Sequence, residues 1–200
     1  MLRVILVRHG ETDWNQIRRV QGGSSNTPLN KNGKQQVERL ALKLKAEPIQ
    51  AIYSSPLQRT WDTAQAITGY HQLEIKVEPL LREIEVGHLE GTSVAEMGKR
   101  LDQLLTIEGQ NASLPKMPGG ESLTELQQRA WATIQRLVDK HHDGVIVVVS
   151  HYFTILTIIC SVLSLPVSQI GRFRLGSASI SSIIFDEQTM RLVLFNEIVA

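Results

Sequence analysis

The stretch Arg3–Asn15, RVILVRHGETDWN, decides how this chain is read. RVILV, Arg3 to Val7, is a β-branched run without apolar/polar alternation, the pattern of a strand covered on both faces in a parallel sheet. Arg8 and His9 follow at once, and Gly10 turns the chain. Two polar, potentially cationic side chains at the end of a buried strand have two readings. They form a surface turn that happens to be polar, or an anion site with a nucleophile in it.

Two other segments end in the same way. VIVVV, Val145 to Val149, runs into Ser150-His151, and AIYS, Ala51 to Ser54, leads through Ser55-Pro56 to Arg59. In parallel α/β sheets the ligand crevice lies beyond the carboxyl ends of the strands, so junctions far apart in sequence are expected to meet there. Helix N-termini point to the same edge, and their free N–H groups favour an anion. With 21 Lys+Arg against 20 Asp+Glu the net charge is +1. That balance argues against a nucleic-acid or membrane-surface binder held by bulk charge, so anion recognition has to be local. Arg8, His9, Arg59 and His151 supply such a local concentration, and phosphate suits the fork of an arginine best.

The rest of the chain agrees with one α/β domain over residues 1–200. Val37, Leu40 and Leu44 share one helical face, as do Leu123, Leu126, Ala130, Ile134 and Leu137. Val145 to Leu165 has the length of a membrane span, but Ser150 and His151 divide it into a strand and a buried helix. SISSIIFD and RLVLFNEI, with Glu187 to Thr189 between them, read as two antiparallel strands. The Pro/Gly/Ser-rich connection Gly109–Gly120 is a flap over a pocket or a joint between helices, and 82–120 is the segment expected to cap the site. Cys160, the single cysteine, falls in an apolar run and reads as packing. The apolar run before Arg8 is too short for a signal peptide, so the expected setting is cytoplasmic. Strands alternating with helices predict a three-layer α/β/α sandwich around a mostly parallel sheet.

Five segments together, LVRHGETDWN, SSPLQRTWDTA, LREIEVGHLEG, PGGESL and VVVSH, resemble the histidine phosphatase superfamily, also called the phosphoglycerate mutase-like family. The likeness runs from about Leu2 to Asn196 with the motifs in the family's order. It implies that His9 becomes phosphorylated and that Arg8, Arg59 and His151 hold the phosphoryl group. Asn15 matches a phosphate contact, Gln21 and Gly22 match a loop beside the pocket, and Glu83 stands where the family places its proton donor. Spacing alone does not select Glu83 over Glu85 or Glu90, which read as ordinary surface acids.

The expected activity is metal-independent hydrolysis of a small phosphorylated metabolite through a phosphohistidine, with no cofactor. The alternatives are a phosphoglycerate mutase primed by a bisphosphorylated compound and a phosphate sensor without turnover. The short segment between Gly91 and Pro118 favours hydrolysis, since family mutases are typically longer there. Oligomeric state stays open, a homodimer included. Metal binding is not expected at His88, His9, His151 and Glu83, because tight ligand spacing is missing and arginines oppose a cation. The departures bear on substrate: GSSNTPL is small and uncharged where many relatives carry a bulky residue and an aspartate, Trp61 replaces a small residue, and Tyr152, followed by Phe153, replaces the usual glycine. Trp14, Tyr152 and Phe153 wall the pocket or pack the core. His71, His141 and His142 are accounted for by helix ends or loops.

Overall fold

A computed structural model describes residues 1–107 and 116–199. Six strands among the described residues form one sheet in the order β3-β2-β4-β1-β5-β6. They are β1 (Leu2–Arg8), β2 (Ile49–Ser54), β3 (Ile75–Val77), β4 (Gly144–Ser150), β5 (Ile180–Phe185) and β6 (Met190–Glu197). The pairs β2·β3, β2·β4 and β1·β4 are parallel, while β1·β5 and β5·β6 are antiparallel. The sheet is therefore mostly parallel, with an antiparallel hairpin added beside β1. The hairpin turns where expected: Asp186 Oδ1 accepts the N–H groups of Gln188 and Thr189.

Successive side chains of a strand point to opposite faces, so an apolar run supplies two cores at once. Leu2, Val4 and Leu6 of β1, with Ile146 and Val148 of β4, face α5 (Leu123–His141) and α6 (Tyr152–Val162). Ile5, Val7, Val145, Val147 and Val149 face α2 (Lys31–Leu44) and α3 (Gln58–Thr68). Those two layers and the sheet make the α/β/α sandwich. The predicted helical faces are the buried ones: Val37, Leu40 and Leu44 in α2, and all five named positions in α5. Cys160 is fully buried in α6.

Local signals fix the helix starts. Asn30 caps α2 by accepting from Gly33 N–H at 2.7 Å. Ser122 and Glu125 form a capping box at α5, and Thr12 and Asn15 form another at the one-turn α1 (Asp13–Gln16). Helix α4 (Val94–Ile107) is not among the predicted elements, although Met97 and Leu104 are buried on one side of it. Of the segment expected to cap the site, 108–115 lie outside the described residues, and so does most of the Gly109–Gly120 connection.

Two glycines let the loop after β1 close on α2. A Cβ on Gly10 would stand 2.8 Å from the Gly33 carbonyl oxygen and 2.8 Å from Val37 Cγ1, and Gly33 in turn lies against the backbone of Glu11. Side chains at either place would push the His9 loop off the helix.

Candidate active site

The sheet order brings the three junctions together. β4 lies between β2 and β1, and the register sets Arg8 beside Ser150 and Ser54 beside Val149. Backbone bonds continue past the strand ends: His9 N–H donates to Ser150 O, and Ser55 N–H to Val149 O, both at 3.1 Å. His9, Ser55 and His151 therefore sit at one carboxyl edge by backbone pairing alone.

His9 and His151 are 3% and 0% exposed, with ring centroids 5.3 Å apart. His9 Nδ1 is 2.8 Å from the Gly10 carbonyl. A carbonyl only accepts, so Nδ1 carries the proton and Nε2 is left as the free base. Burial pushes the His9 pKa well below the usual histidine value, and Arg59 and then Arg8 push it further. His151 is held low in the same way, by burial first and then by Arg59, His9 and Arg8. Its Nε2 meets Ser55 Oγ at 2.8 Å, and its Nδ1 is buried without a partner among the described residues.

Arg59, at the start of α3, is fully buried. Its guanidinium donates to Ser25 O at 2.8 Å and Gly22 O at 3.1 Å, and its Nε–H has no partner among the described residues. Burial lowers its pKa to about 10 against the opposing pull of Glu83 and Glu90. Arg8 Nη1 donates to Leu175 O at 2.6 Å, and its guanidinium carbon lies 5.1 Å from the centre of the Tyr152 ring. The Arg8 Nε–H is also without a partner among the described residues. Unpartnered buried donors on Arg8 and Arg59 are costly unless an anion accepts from them.

Glu83 arrives from a different part of the chain, just after the short 3₁₀ turn Pro79–Leu81. Helix α6 has no side-chain cap of its own from His151. Glu83 provides one: its carboxyl accepts the N–H groups of Phe153 at 3.0 Å and Thr154 at 3.2 Å, as well as that of Ile84 at 2.9 Å. Burial nevertheless dominates and raises the Glu83 pKa above the ordinary carboxylate value, against those three amides and Arg59. Each side chain carries electrostatic influence into the others, and Glu83 acts on both Arg8 and Arg59.

The remaining predicted positions form the rim. Asn15 is half-buried and its Oδ1 accepts from Thr12 N–H. Gln21 bridges the hydroxyls of Thr12 and Thr27. Gly22 is buried, its carbonyl bound by Arg59 and its N–H bound by Glu90 at 2.9 Å. Glu90 is thus a partly buried tie for the loop, unlike the surface acid expected from its type. Glu85 pairs with Arg82 and accepts from Ser24. His88 is exposed. Tyr152 and Phe153 are half-buried against the α5/α6 core, in edge-to-face contact with each other, while Trp14 lies over Gly91. Among the described residues no group of three His, Cys, Asp or Glu could hold a metal ion. No helix there is long and apolar enough to cross a membrane.

With this geometry in place, comparison with known proteins gives a consistent result. The model of the histidine phosphatase superfamily (branch 1) matches residues 4–198. Phosphoserine phosphatase 1 of Hydrogenobacter thermophilus is 32% identical over 196 residues, covering 98% of this chain and 92% of that one. A probable phosphoglycerate mutase of Proteus mirabilis is 34% identical over 183 residues, covering 92% and 85%. Among solved structures, a histidine-to-alanine mutant of phosphoserine phosphatase from Entamoeba histolytica in complex with phosphoserine superposes with a TM-score of 0.88 at 30% identity, the match covering 98% of both chains. The chain belongs to the histidine phosphatase superfamily. Phosphoric monoester hydrolysis is the chemistry which that membership, with the phosphatases among its relatives, supports.

Proposed function

We propose that the protein is a metal-independent phosphomonoesterase that transfers the phosphoryl group of a small metabolite to His9 and then to water. The observation that carries this reading is the burial of His9 and Glu83 in one cluster, where loss of water pushes the two groups' proton affinities in opposite directions. His9 is held neutral with Nε2 free, and Glu83 is held toward its protonated form.

In the first step the Nε2 lone pair attacks phosphorus in line and the ester P–O bond breaks. Its electron pair goes to the leaving oxygen, which takes the Glu83 proton and departs as an alcohol. Arg8 and Arg59 neutralise the charge spread over the equatorial oxygens. Ser55 can donate to His151 Nε2, which leaves a proton on Nδ1 as a further donor to the phosphoryl group. In the second step the Glu83 carboxylate takes a proton from water as the water oxygen attacks phosphorus. The P–N bond breaks, its pair returns to Nε2, and inorganic phosphate leaves.

The relatives support a small phosphorylated acid as the substrate class. The Entamoeba enzyme is complexed with phosphoserine in one structure and with 3-phosphoglyceric acid in another. A phosphate-release screen with phosphoserine, 3-phosphoglycerate and sugar phosphates, run with and without chelator, tests the assignment. Release that survives chelator and disappears in His9→Ala supports it, and equal release by His9→Ala overturns it. Mutase activity is the second reading, favoured by the probable phosphoglycerate mutases among the relatives. Rapid 2-phosphoglycerate formation from 3-phosphoglycerate and a 2,3-bisphosphoglycerate primer, with little free phosphate, would establish it in place of hydrolysis.

A further inference from the structure

The carboxyl of Glu83 is fixed by α6, but the backbone that carries it is fixed from α5, by a side chain outside the reacting cluster. Arg129 uses all five of its N–H donors on a single target region. Nε donates to Glu121 Oε2 at 3.0 Å and Nη2 to Glu121 Oε1 at 2.6 Å, a bidentate pair. Nη1 donates to Leu80 O at 2.6 Å and Arg82 O at 2.8 Å, and Nη2 also reaches Glu83 O at 3.1 Å. Glu121 completes the bracket by accepting from Glu85 N–H at 3.0 Å, while its own N–H donates to Glu85 O at 2.8 Å. Both side chains are largely buried, at 19% and 16% exposed. One ion pair therefore grips residues 80, 82, 83 and 85, on both sides of Glu83 and at its own carbonyl.

We infer that Arg129, oriented by Glu121, is a positioning residue for proton transfer: it sets where the Glu83 carboxyl stands relative to the leaving oxygen. This rests on the reading of Glu83 as proton donor. The geometry needs an arginine, because a lysine ammonium offers donors from one nitrogen and cannot span three carbonyls and a carboxylate. A displacement of about 1 Å at a reacting group costs on the order of 10²-fold in rate. The same contacts explain why PGGESL belongs with the site, since Glu121 is its acidic residue.

A proton donor matters in proportion to the basicity of the leaving group, and that separates positioning from general damage. Phenoxide, whose conjugate acid has a pKa of about 10, needs the proton, whereas dinitrophenolate does not. The measurement is kcat/KM, which reports phosphoryl transfer to the enzyme, for phenyl phosphate and 2,4-dinitrophenyl phosphate. It is made on the parent, Glu83→Gln, Arg129→Gln and the double variant. Glu83→Gln is expected to lose about 10²-fold on phenyl phosphate, the usual scale of a general acid. Arg129→Gln should lose roughly tenfold or more there and far less on the dinitrophenyl ester, with little added loss in the double variant. Arg129→Lys, which keeps the charge, serves the same comparison where Arg129→Gln does not fold. Equal losses on both esters, no loss, or losses that multiply with Glu83→Gln overturn the positioning role while leaving Glu83 in place. A Glu83→Gln protein with no leaving-group dependence removes the donor assignment and the positioning role with it.

Discussion

The imidazole pair and the Glu83 carboxyl are buried to the same degree, and burial does opposite work in the two places. At His9 and His151 the charged form is the acid, so loss of water keeps the rings neutral, and the neighbouring arginines add to the effect. At Glu83 the charged form is the base, so the same loss of water keeps the proton on, although three amides and Arg59 pull the other way. In the proposed reading, one buried cluster thus shifts its nucleophile toward the form without a proton and its donor toward the form with one. No special property of either residue is required beyond its place.

Removing the histidine side of this contrast has the largest expected effect. His9→Ala should lower phosphate release by about 10⁴-fold or more, as loss of a covalent nucleophile does elsewhere. Formation of an acid-labile phosphoenzyme, followed with a ³²P-labelled substrate, should vanish with it. Arg59→Gln should cost about 10²–10³-fold in kcat/KM. Part of that loss should appear as a rise in KM, because the loop carbonyls of Gly22 and Ser25 lose their donor.

Titration sharpens the contrast further. The kcat/KM profile should rise through the low His9 pKa and fall as Glu83 ionises, and Glu83→Gln should abolish the falling limb alone. A falling limb that persists in Glu83→Gln would assign it to another group. Stability should follow the histidines. Both rings have folded-state pKa values below the unfolded one, so between the two the unfolded chain binds more protons. The histidine contribution to stability then drops as pH falls below about 6.5, with a slope approaching about 1.4 kcal/mol per pH unit for each ring, while the raised Glu83 pKa acts in the opposite sense. Urea melts of His151→Asn against the parent at pH 7 and pH 5 should show the smaller pH dependence in the variant. The smallest effect belongs to Tyr152→Leu, which removes the ring beneath Arg8. A cation–π contact of about 1 kcal/mol corresponds to roughly fivefold in kcat/KM.

The two halves of the site differ also in how they were legible. His9, Arg8, Arg59 and His151 follow strands whose apolar runs announce themselves, and parallel pairing carries their ends to one edge. Glu83 has no such signal: it follows a short turn, and its partners Phe153 and Thr154 lie on a helix that sequence spacing does not connect to it. Only the family resemblance singled it out. Ser55 was visible as part of a polar junction, but its bond to His151 depends on β2 and β4 being neighbours. The tie from Glu90 to Gly22 was hidden because surface acids and buried acids look alike in sequence. Helix α4 carries Met97 and Leu104 at a helical spacing, and that stripe was the available clue. The capping boxes Thr12–Asn15 and Ser122–Glu125 were likewise present as short motifs.

The strand that ends in the nucleophile sits between β4 and β5, so Leu2 is paired with Gly144 on one side and Phe185 on the other. Neither neighbour is close in sequence, so assembling the crevice requires the closure of long loops. A chain shortened before β5 would leave β1 with an open edge, prone to pair with other molecules in place of its own hairpin. The edge that carries Arg8 and His9 is thereby complete only when β1 is paired on both sides.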